Sequence, residues 1–337
     1  MGLSPLPAGR PSGRDGRRRR LRPVFWPVFR PILRPVLRLG LAAPLLAACA
    51  GLWACGGGGG AAGGAPAAAP FHGIAFSPYE DGQDPNLRSL VSREQIERRM
   101  AIVAPYTTWI RTFGMDDGLE ASGAVARTLG LKTALGAWIG PVAEENERQI
   151  GNLLAAVKAG EADMVIVGSE VLLRGDLPVD ELIAYLQRVR AGAGGVPVGY
   201  ADVWDVWLGH PELVAAVDVV VANCHPFWSG VDAGRAVPLV EDWYHQVQAV
   251  AADRPVIIGE TGWPTGGDPV GEAVPALDDA VEFLSAFLAW AEAAGVEYFY
   301  FEAFDEPWKE AWEGSQGPHW GVWDQDGVLK EGMATAF

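Results

Sequence analysis

Two glutamates follow apolar runs that read as buried strands. In Ala162-Asp-Met-Val-Ile-Val-Gly-Ser-Glu170 the run Met164, Val165, Ile166, Val167 ends at Gly168 and then Glu170. In Arg254-Pro-Val-Ile-Ile-Gly-Glu-Thr-Gly-Trp-Pro-Thr265 the run Val256, Ile257, Ile258 leads abruptly to Glu260. Short runs rich in β-branched residues fit strands covered on both faces, as in a parallel sheet wrapped by helices. A carboxylate at the mouth of such a strand is costly unless water, hydrogen bonds or chemistry keeps it there. One such glutamate could simply reach solvent. Two, ending two different strands, are what a retaining glycosidase needs: an acid/base and a nucleophile about 5 Å apart across the scissile bond.

The elements that must position them alternate from residue 71 onward. Strands are expected over residues 71–76, 108–113 and 131–138, then in the Glu170 stretch, over 196–201 and 218–224, in the Glu260 stretch, and over 297–303. Ser92 and Gln95 form an expected capping box for a helix through residue 103. Further helices are expected over 121–129, 144–158, 179–191, 239–251 and 278–293. Eight such units fit a single (β/α)8 TIM barrel over residues 71–337, in which catalytic groups sit at the C-terminal ends of the strands. A doubly wound open sheet is the competitor, but no glycine-rich phosphate loop follows the first strand. The glutamates then end strands four and seven.

These two stretches, with Phe301-Glu-Ala-Phe-Asp-Glu-Pro-Trp-Lys309, resemble glycoside hydrolase family 17, the β-1,3-glucanases and related glucanosyltransferases. The resemblance implies hydrolysis of β-1,3-glucan through a covalent glycosyl-enzyme intermediate. It places Glu170 on the family's acid/base and Glu260 on its nucleophile, whose environments must push their pKa values apart. It also puts Glu306 and Lys309 on accessory positions that bond the sugar or tune the nucleophile. A solvated lysine is the competing reading of Lys309, and Glu302 reads as a partly buried structural carboxylate. Glucanosyl transfer by the same residues and glucan binding without turnover are the alternatives. Two departures stand out. Ser169 replaces the asparagine that commonly precedes the acid/base, and Phe76 falls where many relatives carry tyrosine. Trp138, Trp204, Phe227, Trp228, Trp263 and Trp308 lie at or just beyond strand ends, where flat aromatic walls suit the C–H faces of sugars. His319-Trp-Gly-Val-Trp323 resembles the family's closing segment and reads as barrel closure and site wall.

Composition bounds the rest. Past residue 38 the chain carries 16 basic and 41 acidic residues, a net of −25. That charge opposes nucleic acid and anionic membrane surfaces as partners. Residues 1–48 read as a signal peptide with a basic segment before the apolar run 39–48, too short to span a bilayer. Leu46-Ala-Ala-Cys49 resembles a lipobox, with Cys55 a second acylation candidate, and residues 49–70 form a Gly/Ala/Pro tether. Export and a membrane link through N-terminal lipid alone are expected. An upstream start-codon error and a twin-arginine signal are the alternatives for this leader. Cys224 is the one cysteine of the body and reads as a buried, inert thiol. His72, His210, His225, His245 and His319 lack metal-ligand spacing, so neither a metal nor a cofactor is expected. A β-glucan is the expected partner of a monomer.

Overall fold

Strands that run parallel in sequence order need a crossover between each pair, and helices supply it. The computed structural model describes residues 71–336. The leader, the tether, Cys49 and Cys55 lie outside the described residues. The strands are β1 (Phe71–Ala75), β2 (Thr107–Arg111), β3 (Lys132–Ala137), β4 (Met164–Ser169), β5 (Val198–Val203), β6 (Val219–Asn223), β7 (Val256–Thr261) and β8 (Tyr298–Tyr300). They pair in sequence order, all parallel, and β8 closes on β1 with Ile74 opposite Tyr300. The chain therefore forms the expected (β/α)8 barrel.

The crossover helices are α1 (Arg93–Val103), α2 (Ser122–Thr128), α3 (Ala143–Lys158), α4 (Val179–Gly192), α5 (Trp204–Gly209), α6 (Glu212–Ala216), α7 (Ala233–Val250) and α8 (Leu277–Ala294), with α9 (Glu310–Glu313) after β8. Three details correct the sequence reading. The expected capping box is half formed. Ser92 Oγ accepts from Gln95 N at 3.2 Å, but the Gln95 amide donates to Pro78 O at 2.8 Å and Gln83 Oε1 at 2.6 Å instead of returning to the helix start. Helix α7 begins at Ala233 rather than near 239 and carries Pro238 inside it, which forfeits one backbone bond. Between β5 and β6 stand α5 and α6, too short to leave a periodic signature.

Packing separates two apolar clusters. Ala134, Met164, Ile166, Ala201, Val219, Val221, Ile257 and Phe299 fill the barrel interior, while their strand neighbours Val165, Val167, Val198, Val220 and Ile258 pack with the helices. Strict alternation would continue Ser169 and Glu260 to the outside, because Val167 and Ile258 face out. Two bulges reverse this. On β4 the partners step from Ile166–Gly199 to Ser169–Ala201, and on β7 from Ile258–Ala222 to Glu260–Asn223. Each step inserts one residue, so Ser169 comes level with inward Ala201 and Glu260 with inward Asn223. Gly168 takes φ +85°, a left-handed conformation that suits glycine. At Gly259 a Cβ would lie 2.5 Å from Val221 Cγ1 and 2.6 Å from Asn223 Oδ1.

The Gly259 contact gives a direct test. Gly259→Ala is expected to destabilise the fold by about 1–3 kcal/mol through overpacking. Thermal unfolding followed by circular dichroism should show the midpoint fall by a few degrees, with far-UV ellipticity at low temperature preserved.

Candidate active site

Glu260, on β7, is 3% exposed and surrounded by donors. Arg111, from the end of β2 and fully buried, donates from Nη1 to Glu260 Oε1 at 2.8 Å and to Gly259 O at 2.7 Å. Its Nη2 donates to Ser169 Oγ at 3.1 Å, and Ser169 Oγ in turn donates to Glu260 Oε1 at 3.3 Å. Asn223 Nδ2 adds a bond of 3.0 Å to the same oxygen. On the other oxygen, Oε2, His225 Nε2 stands 3.4 Å away. Burial opposes the charge on Glu260, but Arg111 and then His225 outweigh it. Its carboxyl is held well below the usual carboxylate range.

Glu170 follows β4 in a left-handed turn, with φ +56°. Its backbone N–H donates to Ala201 O at 2.7 Å, which ties the turn to β5. Its carboxyl receives the second bond of Asn223 Nδ2, at 2.9 Å. One nitrogen within 2.9 Å of Glu170 Oε1 and 3.0 Å of Glu260 Oε1 keeps the two oxygens within about 6 Å. That is below the roughly 6.5–9.5 Å that an inverting pair needs for an intervening water. Burial pushes the Glu170 carboxyl up to about 7, and the charges of Glu260 and Asp202 add to the shift. One carboxyl is therefore protonated and its neighbour ionised over the mildly acidic range.

A second buried network lies beside this pair. Lys309 Nζ bonds Glu302 Oε1 and lies 2.9 Å from Glu306 Oε2. Glu306 Oε1 also accepts from Ser77 Oγ at 2.5 Å and Trp308 Nε1 at 3.0 Å. One ammonium cannot neutralise two buried carboxylates. Burial raises Glu302, which has Lys309 alone, while at Glu306 Lys309 and Ser77 outweigh burial and lower it. Lys309 is thus a buried cation rather than a solvated one, and Glu302 is fully buried rather than partly so.

The aromatic expectations divide. Phe76, Phe227 and Trp263 are corrections, because each is about 1% exposed or less and offers no open face to a sugar. Phe76 packs edge-on to Phe304, and Phe227 edge-on to Trp263. Trp263 Nε1 donates to Val274 O at 2.9 Å. Trp138, Trp204, Trp228 and Trp308 remain partly exposed. Arg174 covers one face of Trp138 at 4.3 Å, and Trp243 stacks on Trp204 at 5.1 Å and 10°. The segment through Trp323 is a correction as well: it lies along the chain just past β8, with Trp323 N donating to Ala303 O and Val322 N to Glu302 O, while the β1–β8 pairing closes the barrel. Cys224 is fully buried. The sequence reading missed Arg111, Asn223, His225 and Asp202 as site residues. Arg111, Asn223 and Asp202 lie at or near the C-terminal ends of apolar strands, the same signal that picked out the glutamates.

Comparison with known proteins agrees with this geometry. The sequence model of the BtgE/BtgC glycoside hydrolase domain matches residues 73–321. A protein of Aspergillus niger named as a glucan endo-1,3-beta-glucosidase (btgC) is 32% identical over 302 residues, covering 78% of this chain and 43% of that one. The chain thus spans less than half the length of the Aspergillus relatives it matches. A glucan 1,3-beta-glucosidase of Schizosaccharomyces pombe is 34% identical over 248 residues, covering 68% of this chain and 77% of its own. The crystal structure of a glycoside hydrolase family 17 beta-1,3-glucanosyltransferase from Rhizomucor miehei superimposes with a TM-score of 0.70 at 28% identity, covering 78% of this chain and 97% of that one. An active-site mutant of that transferase has been solved in complex with laminaritriose. The chain belongs to glycoside hydrolase family 17, within the group defined by the BtgE/BtgC glycoside hydrolase domain.

Proposed function

We propose that this protein cleaves β-1,3-glucan with retention, through a covalent glycosyl-enzyme intermediate on Glu260. The observation that carries the reading is the single Asn223 amide spanning both carboxyls. In the first step Glu260 attacks the anomeric carbon as Glu170 passes its proton to the departing glycosidic oxygen. In the second, Glu170 takes a proton from water, which attacks the same carbon and frees Glu260. Arg111, Ser169 and Asn223 hold Glu260 ionised and aimed. The partly exposed faces of Trp138, Trp204 and Trp308, with the Glu306–Lys309 pair, are the sugar contacts in this reading.

Glucanosyl transfer is a second reading, favoured by the likeness to the Rhizomucor miehei transferase. It requires only that a sugar hydroxyl replace water in the second step. The leader sequence supports export, and acylation at Cys49 or Cys55 would make the protein a lipid-anchored one of the cell envelope. Phe71 opens β1, so the chain enters the barrel at the end opposite the two glutamates.

Incubation with laminarin oligosaccharides and chromatography of the products tests both readings. Shorter products alone indicate hydrolysis, longer ones transfer, and unchanged sugar overturns the enzymatic reading. Glu260→Ala should lower the rate by a factor on the order of 10⁴ or more. Glu170→Ala should lower it by about 10²–10⁴ on unactivated glucan and far less on a substrate whose leaving group needs no proton. Parent-like cleavage by Glu260→Ala would end this mechanism.

The pH profile has a definite sign. The rate needs Glu170 protonated and Glu260 ionised. It should therefore fall as pH rises through about 7, where Glu170 loses its proton. On the acid side it should hold until below the usual carboxylate range, where Glu260 gains one. Initial rates across a buffer series give this bell directly, and a rate still rising above pH 8 would contradict the assignment.

A further inference from the structure

Behind Glu170 lies a carboxylate that the reaction does not consume. Asp202 sits on β5, fully buried, and among the described residues it forms no ion pair. A buried charge without a cation is expensive and persists where donors or a task retain it. Its donors are all neutral. Oδ2 accepts from Tyr200 O–H and from Leu172 N at 3.2 Å, and Oδ1 accepts from Val203 N at 2.8 Å. Tyr200 O–H also accepts from Leu172 N at 3.1 Å. Leu172 is two residues past Glu170, so both side chains grip the turn that carries the acid. From the other side Arg174 donates to Ser169 O and to Ile139 O, the latter at 3.0 Å.

We propose that the Asp202–Tyr200 pair is a positioning device for Glu170: it pins the left-handed turn that aims the acid and stands behind that turn as a fixed carboxylate. This rests on the reading of Glu170 as acid/base. The other groups facing Glu170 are Glu260 on β7, Asn223 and His225 at the end of β6, and Glu313 on α9, with Arg174 on its own loop. Asp202 is one of two anions that raise Glu170, and the one that does not enter the reaction. Burial pushes its own carboxyl up to about 6 against the pull of its hydrogen bonds. The three donors on that carboxyl, Tyr200 O–H and the N–H groups of Leu172 and Val203, favour its charged form. Tyr200, raised by burial and by Asp202, keeps its proton and remains a donor.

The test is the pH profile of kcat and kcat/KM for Asp202→Asn, measured on laminarin oligosaccharides with the full-length protein. Asparagine keeps an acceptor of the same size and deletes the charge. The alkaline limb should move to lower pH by roughly 0.5–1 unit, with KM little changed. Tyr200→Phe, which weakens the hold on the Asp202 charge, should move it the same way by less. It carries the test if Asp202→Asn does not fold. A limb at the parent's pH in a folded variant overturns the inference, whatever happens to the melting temperature. Glu170→Ala run in parallel separates the two failures. If it cleaves glucan like the parent, the acid/base reading falls and this inference with it. If it loses activity while the limb in Asp202→Asn stays put, only the positioning role is lost.

Discussion

Everything in this site follows from placing two carboxyls within about 6 Å of each other in a closed barrel mouth. Two full charges at that separation would repel by about 3 kcal/mol at an effective dielectric of about 20, or about two pKa units. Burial adds to the cost, so the pair settles with one proton. Which carboxyl holds it is decided by the neighbours. Arg111, Ser169, Asn223 and His225 converge on Glu260, whereas Glu170 has the shared Asn223 amide and an anion behind it. The asymmetry separates acid from nucleophile before any sugar arrives.

The scaffold's contribution is to turn side chains inward that plain strand alternation would send outward. The insertions at Gly168 and Gly259 bring Ser169 and Glu260 level with the inward residues of β5 and β6. Glycine at 259 also leaves room for Asn223, whose Oδ1 would lie 2.6 Å from an added Cβ. The site is thus built on rigid strands, and the residues around it are fixed by the same register that closes the barrel. Ser169 shows the economy of the arrangement. Where an asparagine is common in the family, its hydroxyl takes a bond from Arg111 and gives one to Glu260.

The parts of this picture that were legible from residues alone were those with a one-dimensional signature. Apolar runs closed by glycine and proline marked the strands, and an abrupt carboxylate marked each glutamate. Arg111 left less trace, because Thr108-Trp-Ile-Arg reads as an ordinary half-polar strand until its far end is seen to be fully buried. Asn223 lies inside the expected strand 218–224 with nothing in the sequence to single it out, and only pairing with β7 reveals that it spans both acids. Bulges are invisible in this sense, since an inserted glycine looks the same as a strand terminator. Aromatic residues beyond strand ends are ambiguous for another reason. The backbone position does not tell whether a ring folds toward the cleft or the helices, and Phe76, Phe227 and Trp263 are buried in the cluster that packs with the helices.

The most direct measurement is the location of the trapped intermediate. A 2-deoxy-2-fluoro glucosyl donor with a good leaving group forms the glycosyl-enzyme faster than it is released, so peptide mass spectrometry can find the adduct. The account predicts one added glycosyl group, confined to the peptide containing Glu260 and absent from Glu260→Ala. An adduct on a peptide lacking Glu260, or one that persists in Glu260→Ala, would contradict it.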